Sequence, residues 1–403
     1  MANESISRDA GGQAAPAVLQ ILPRLETGGV ERGTIEIADA LRTAGARPIV
    51  VSAGGPMERE LERMNAVHIR MPVASKNPYR IWRNVDALVD VIKRYDVKLV
   101  HARSRAPAWT ARAAAKQCGV PFVTTFHGTY NRGPLGIKTP YNAVMAAGDR
   151  VIAISNFIAR HVQEHYHVPQ DRIRIIPRGV DLTRFDPARV SPERMIALAT
   201  QWRLREDLPV IMLPGRLTRW KGQLVLIEAL ARLGRQDLVC LLVGSDQGRA
   251  RYRAQLEAAV AAKGLQGVVH IVNGCNDMAA AYLLTDWVVS ASTDPEAFGR
   301  VVVEAQAMGR PVIATRHGGA LETVIPGETG WLVAPGDPGE MAAAIGNAID
   351  ATPEVRQRMA EASQKRAREE FSRELMCERT LSVYAELLGD AAPWAKPEVD
   401  VAS

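Results

Sequence analysis

Short apolar, β-branched runs alternate with longer amphipathic stretches along nearly the whole chain. The strand-like runs fall at 18–22, 48–52, 98–101, 122–126, 150–154 and 173–176, then at 210–213, 238–243, 268–272, 287–290, 312–315 and 331–333. Helix-length segments such as 31–44 and 222–233 lie between them, and 353–388 reads as helical and strongly charged. Continuous apolar strands separated by helices predict parallel sheets covered on both faces. Two sets of about six predict an α/β chain of two doubly wound, Rossmann-like domains. The turn-rich segment 178–187 places the linker near 180–205. The expected organisation is a disordered lead-in at 1–16, a first domain at 17–190 and a second at 205–375. A C-terminal helix at 376–390 then packs back on the first domain, and 391–403 forms a disordered tail. Ligands of open parallel sheets bind beyond the carboxyl ends of the strands, so the expected site is a central cleft that the two domains face.

Composition narrows the class. With 403 residues, 47% hydrophobic and 23% charged, the chain reads as an ordinary globular protein. No apolar run approaches the length needed to span a bilayer. The polar start lacks the pattern of a signal peptide, and four scattered cysteines without CxxC spacing read as reduced thiols, so a cytoplasmic setting is expected. Charge is uneven: between Ala17 and Phe185 there are 25 Lys and Arg against 14 Asp and Glu, in a chain of net charge +6. A basic front half suits an anionic partner such as a phospholipid head group or a phosphorylated glycolipid. Nucleic acid is not expected, because the basic residues are dispersed and no nucleic-acid-binding signature is present.

Unusual residues cluster just after the predicted strands. Gly28 and Gly29 follow the first strand and open a helix, reading either as a tight turn or as an anion-binding helix start. Their spacing fits neither a dinucleotide fingerprint nor a P-loop, which leaves a nicotinamide-dependent dehydrogenase without its motif. His127 ends a strand in Thr-Thr-Phe-His-Gly; a lone histidine is often structural, but this one is placed to meet a cleft. Arg216 and Lys221 flank a loop after the first strand of the back half, two cations suited to a diphosphate. Glu296 and Glu304 lie in Glu-Ala-Phe-Gly-Arg-Val-Val-Val-Glu, with Phe298 and Gly299 between them. On a continuous helix they would stand about 12 Å apart. That is too far for an acid and base on one glycosidic bond, and suits gripping two parts of one elongated ligand. No D-x-D, H-E-x-x-H or other ligand cluster occurs, so no metal and no bound cofactor are expected.

These motifs, in this order over roughly residues 17–385, resemble family 4 retaining glycosyltransferases of the GT-B fold. The run comprises the Gly-Gly loop, T-F-H-G, P-R-G-V-D, G-R-x-x-x-x-K-G and E-x-F-G-x-x-x-x-E, followed by A-M-G-x-P-V-I-A-T. The resemblance implies transfer of a sugar from a GDP- or UDP-linked donor with retained configuration. The first domain would then hold the acceptor and the second the nucleotide sugar. By the same resemblance, Gly28 and Gly29 approach the donor phosphates, Arg216 and Lys221 clamp the diphosphate, and His127 lies near the reacting centre. Glu296, with the backbone of Phe298 and Gly299, meets the sugar, and Glu304 meets the ribose. Glu296 and His127 are expected to govern turnover, Glu304 chiefly donor affinity. The segment G-G-V-E-R-G-T is similar to enzymes of bacterial lipopolysaccharide core or other surface-glycan assembly. That implies a glycolipid or glycan acceptor and peripheral contact with the inner face of an anionic membrane. A nucleotide-sugar epimerase of the same fold is the alternative.

Overall fold

The computed structural model describes residues 15–26, 28–75 and 77–395. The chain divides into two compact units, one comprising residues 1–177 and 374–403 and the other 178–373.

The first unit carries seven strands: β1 (Ala17–Ile21), β2 (Arg47–Ser52), β3 (Val67–Arg70), β4 (Val97–Ala102), β5 (Phe122–Phe126), β6 (Arg150–Ala153) and β7 (Ile173–Ile175). They form one sheet in the order β3-β2-β1-β4-β5-β6-β7, every neighbour parallel. The second unit carries β8 (Val210–Pro214), β9 (Val239–Val243), β10 (Val269–Val272), β11 (Trp287–Ser290), β12 (Val312–Thr315) and β13 (Gly330–Val333). Their order is β10-β9-β8-β11-β12-β13, again all parallel. Both sheets are doubly wound. Their strand order reverses between β1 and β4 and between β8 and β11, which are the crevice positions of such folds.

The inner strands are apolar along their length because both faces are covered: β1, β8 and β9 are buried at every residue. In the second unit Trp287 belongs to a core shared by β8, β9, β11 and the helices Gln223–Leu233 and Pro338–Ile349, and the partly buried Trp331 stacks on it with centroids 4.6 Å apart. In the first unit Val18, Leu99, Val123 and Ile152 pack with Met376, Leu381 and Tyr384 of the helix Arg373–Leu388.

All twelve strands expected from the pattern are present, and β3 is an additional edge strand. The domain limits differ from the expected ones. The division falls at Pro177/Arg178, not within 180–205, and residues 178–190 belong to the second unit. Val180 donates to Phe371 O at 2.8 Å and accepts from Arg373 N at 2.9 Å, while Phe185 meets Tyr282 edge-on. A further helix, Pro192–Trp202, occupies the expected linker. The C-terminal helix starts at Arg373 and packs in the first unit from Glu374 onward. Beyond it Trp394 donates to Leu381 O at 2.8 Å, so the expected tail is held at Trp394. The rest of that tail, 396–403, and most of the lead-in, 1–14, lie outside the described residues.

Candidate active site

Three loops leave the carboxyl ends of β8, β11 and β12, neighbouring strands of the second sheet, and they are tied to one another. Thr293 N donates to Trp220 O at 2.7 Å, Thr315 Oγ1 to Ser292 O at 2.8 Å, and Gly319 N to Glu296 O at 2.7 Å. His317 Nε2 lies 2.9 Å from Ser292 O and serves there as donor. Two glycines permit this closeness. Gly222 has φ 73°, and a Cβ there would sit 1.8 Å from Ala291 O. At Gly319 a Cβ would sit 2.5 Å from Phe298 Cα. Either substitution pushes backbone against backbone, so the glycines fix where Lys221 and Glu296 stand.

The result is an ion pair. Lys221 Nζ lies 2.7 Å from Glu296 Oε1, with side chains 11% and 15% exposed. Ser292 Oγ and Ser290 Oγ donate to the same oxygen, Ser290 at 3.4 Å. Burial alone would raise the Glu296 pKa; the Lys221 charge and the hydrogen bonds from Lys221, Ser292 and Ser290 outweigh it and hold the carboxyl below its ordinary value. All these bonds converge on Oε1, so Oε2 has no hydrogen-bond partner among the described residues. Lys221 also lies over the Trp220 ring, 4.6 Å from its centroid.

Arg216 follows β8, exposed, with its carbonyl held by Gln223 Nε2 at 3.0 Å. Its guanidinium makes no ion pair among the described residues, whereas the Lys221 ammonium does, so the two cations expected to act alike have different environments. Phe298 turns its side chain inward, 3% exposed and edge-on to Phe371, so only its backbone can face a ligand. Gly299 takes φ 86° and caps the helix Arg300–Ala307. That helix begins four residues after Glu296, so the expected helical spacing between the two glutamates does not hold. Glu304 lies one turn into the helix. It accepts from Tyr282 OH on Oε2 at 3.1 Å and from Arg300 Nη2 on Oε1 at 3.0 Å. Burial, then the Glu304 charge, pushes the Tyr282 phenol well above its usual range, so it stays a donor to that carboxylate.

Gly28, Gly29 and His127 belong to the first unit. His127 follows β5, half-buried. Gly28 is extended and Gly29 opens the helix Gly29–Thr43. Glu31 lies over this turn, its Oε2 2.3 Å from where a Gly28 Cβ would stand, so an anion arriving there first displaces a carboxylate. Sequence reasoning missed Ser290, Ser292, Tyr282 and Arg300. Ser290 ends β11 and Ser292 follows it, just ahead of Glu296, and the two serines were the legible signal.

Comparison with known proteins decides the family. The model for Glycosyltransferase Family 4 matches residues 27–184, and that for Glycosyl transferases group 1 matches 197–366. The D-inositol 3-phosphate glycosyltransferase of Streptomyces scabiei is 30% identical over 315 residues, covering 72% of this chain and 68% of the relative. The chain belongs to these glycosyltransferases. Its two sheets are those of the GT-B fold. The crystal structure of a glycosyltransferase from Rickettsia africae ESF-5 is similar at 39% identity and a TM-score of 0.87, covering 93% of this chain and 99% of that one. Anabaena Alr3699/HepE, solved in complex with UDP, is similar at 25% identity and a TM-score of 0.80, covering 93% and 100%. Among the described residues no group of His, Cys, Asp and Glu is placed to hold a metal ion.

Proposed function

We propose that the enzyme transfers a sugar from a UDP- or GDP-linked donor to an acceptor hydroxyl with retained anomeric configuration. The observation that carries this reading is the Lys221–Glu296 pair, whose Oε1 is saturated and whose Oε2 remains open. A carboxylate held ionised in this way accepts strongly from a sugar hydroxyl. Lys221 retains ammonium protons beyond the one given to Glu296 and, with the uncommitted Arg216, neutralises the diphosphate as it departs. Glu304 accepts from a ribose hydroxyl. The bond from the anomeric carbon to the phosphate oxygen breaks, the bond to the acceptor oxygen forms on the same face, and the departing phosphate takes the acceptor proton. On this reading the charge work falls to the two cations, without a metal. UDP as the nucleotide is supported by the UDP complex of the Anabaena protein.

For the acceptor we propose an anionic glycolipid of the bacterial surface, such as a lipopolysaccharide core, met at the inner face of the cytoplasmic membrane. Support comes from the helix Pro78–Arg94 of the first unit. Tyr79 and Trp82 are 65% and 63% exposed, their rings 6.3 Å apart, with Arg80 and Arg83 exposed beside them. Aromatic rings next to guanidiniums suit the head-group layer of an anionic membrane. Among the described residues no helix is long and apolar enough to cross a membrane.

The test is incubation with UDP- and GDP-sugars and lipid-linked acceptors, with and without chelator, followed by NMR of the product anomer. An inverted product, or activity abolished by chelator and restored by metal, would overturn the mechanism.

A further inference from the structure

The first residue of the helix that carries Glu304 is a cation in a place local energetics disfavour. Arg300 sits in the first turn, where the helix dipole presents its positive end and favours acidic side chains. Its pairing with Glu304 runs cation first at i,i+4, the weaker order for such pairs. The bond is single, from Nη2 to Glu304 Oε1, and Arg300 is 32% exposed. The partner on the other oxygen, Tyr282, is fully buried. An incoming hydroxyl therefore displaces Arg300 more readily than Tyr282. The pair offsets only part of that misplacement, and natural proteins break local rules of this kind chiefly at functional sites.

The covalent order of a nucleotide sugar supplies the role. The diphosphate joins the sugar to the ribose. With the sugar on Glu296 and the ribose on Glu304, it must cross the segment between them, residues 298–300, where the helix N-terminus and Arg300 lie. We infer that Arg300 is a diphosphate-binding residue that rests on Glu304 when no donor is present. The ribose hydroxyl takes its place on Glu304 Oε1, and the released guanidinium turns to a phosphate oxygen. Its planar donors suit that partner. Donor binding thus exchanges one charge-assisted bond for two. This inference rests on the donor reading above.

The test is calorimetric titration of the full chain with UDP, GDP and the matching nucleosides. Arg300→Ala is expected to weaken binding of the diphosphate at least about tenfold, the scale of one charge-assisted hydrogen bond, and to change nucleoside binding by less than about twofold. The loss persists in a Glu304→Gln background, and Arg300→Lys restores part of it. If Arg300→Ala on Glu304→Gln leaves diphosphate affinity unchanged, Arg300 merely steadies Glu304 and the inference falls alone. If the unaltered protein binds neither UDP nor GDP, the donor reading falls and takes the inference with it.

Discussion

Lys221 and Glu296, separated by 75 positions in sequence, meet as an ion pair at 2.7 Å beyond the ends of β8 and β11. Breaking such a pair on one side strands the other charge. Lys221→Ala is expected to cost about 3 kcal/mol of stability and at least about a hundredfold in turnover. Lys221→Met with Glu296→Gln should recover most of the stability and none of the activity, read by urea unfolding and by product formation. Recovery of both would make the pair purely structural.

Acid should erode this pair before it erodes the fold. The folded Glu296 carboxyl lies below its ordinary value, which is about 4.3 in an unfolded chain. Its stabilisation is complete above the unfolded value and is lost as pH falls through the lower folded one. The stability difference between the unaltered protein and Glu296→Gln should stay level from pH 7 to about 5 and shrink below about 4. Urea midpoints across that range decide it; a level difference throughout would mean that the carboxylate is not ionised in the pair.

The C-terminal helix is pinned through a buried hydroxyl. Tyr384 OH lies 2.6 Å from His101 Nδ1, and His101 Nε2 lies 2.7 Å from Thr125 Oγ1. Burial, then the Arg103 charge, keeps His101 neutral far below its ordinary pKa. Protonation therefore favours the unfolded chain, and this group's penalty grows as pH falls below about 6.5. Tyr384→Phe should cost about 1–2 kcal/mol by leaving a ring nitrogen unpartnered. Hydrogen exchange should show faster opening of residues 374–388 in that variant; unaltered protection there would refute the anchoring role.

Trp82→Ala should leave the thermal midpoint unchanged, because the ring is exposed, and should reduce sedimentation with anionic vesicles several-fold. Neutral vesicles should bind neither protein. Equal binding of both proteins to anionic vesicles would remove Tyr79 and Trp82 from the membrane reading.

Period and composition carried the fold. Continuous apolar strands with helices between them predict doubly wound sheets because both faces of each strand must be covered, and twelve of thirteen strands follow from that. β3 escaped because Val67–Arg70 is a four-residue edge strand without a fully buried position. The boundary was misplaced for another reason. Turn formers at 178–187 mark a change of direction, but Val180 and Phe185 lie within a segment that packs on the second unit. Sequence order could place Lys221, Glu296 and Glu304 after strands and attach roles by resemblance. It could not show that two of them neutralise each other, since pairing across 75 residues depends on the sheet order and on Gly222. Nor did it single out Arg300, whose oddity appears only once its helix start is known.

Part of the first unit's core is supplied by residues made after the whole second unit. Between Pro177 and Glu374 the ribosome must add the whole second unit, a delay of about 10–40 s. For that interval the face later covered by Tyr384 and Leu381 stands open beside the nascent chain. Gln20, His101 and Thr125 supply polar groups among its apolar residues, which keeps the waiting surface from being uniformly adhesive.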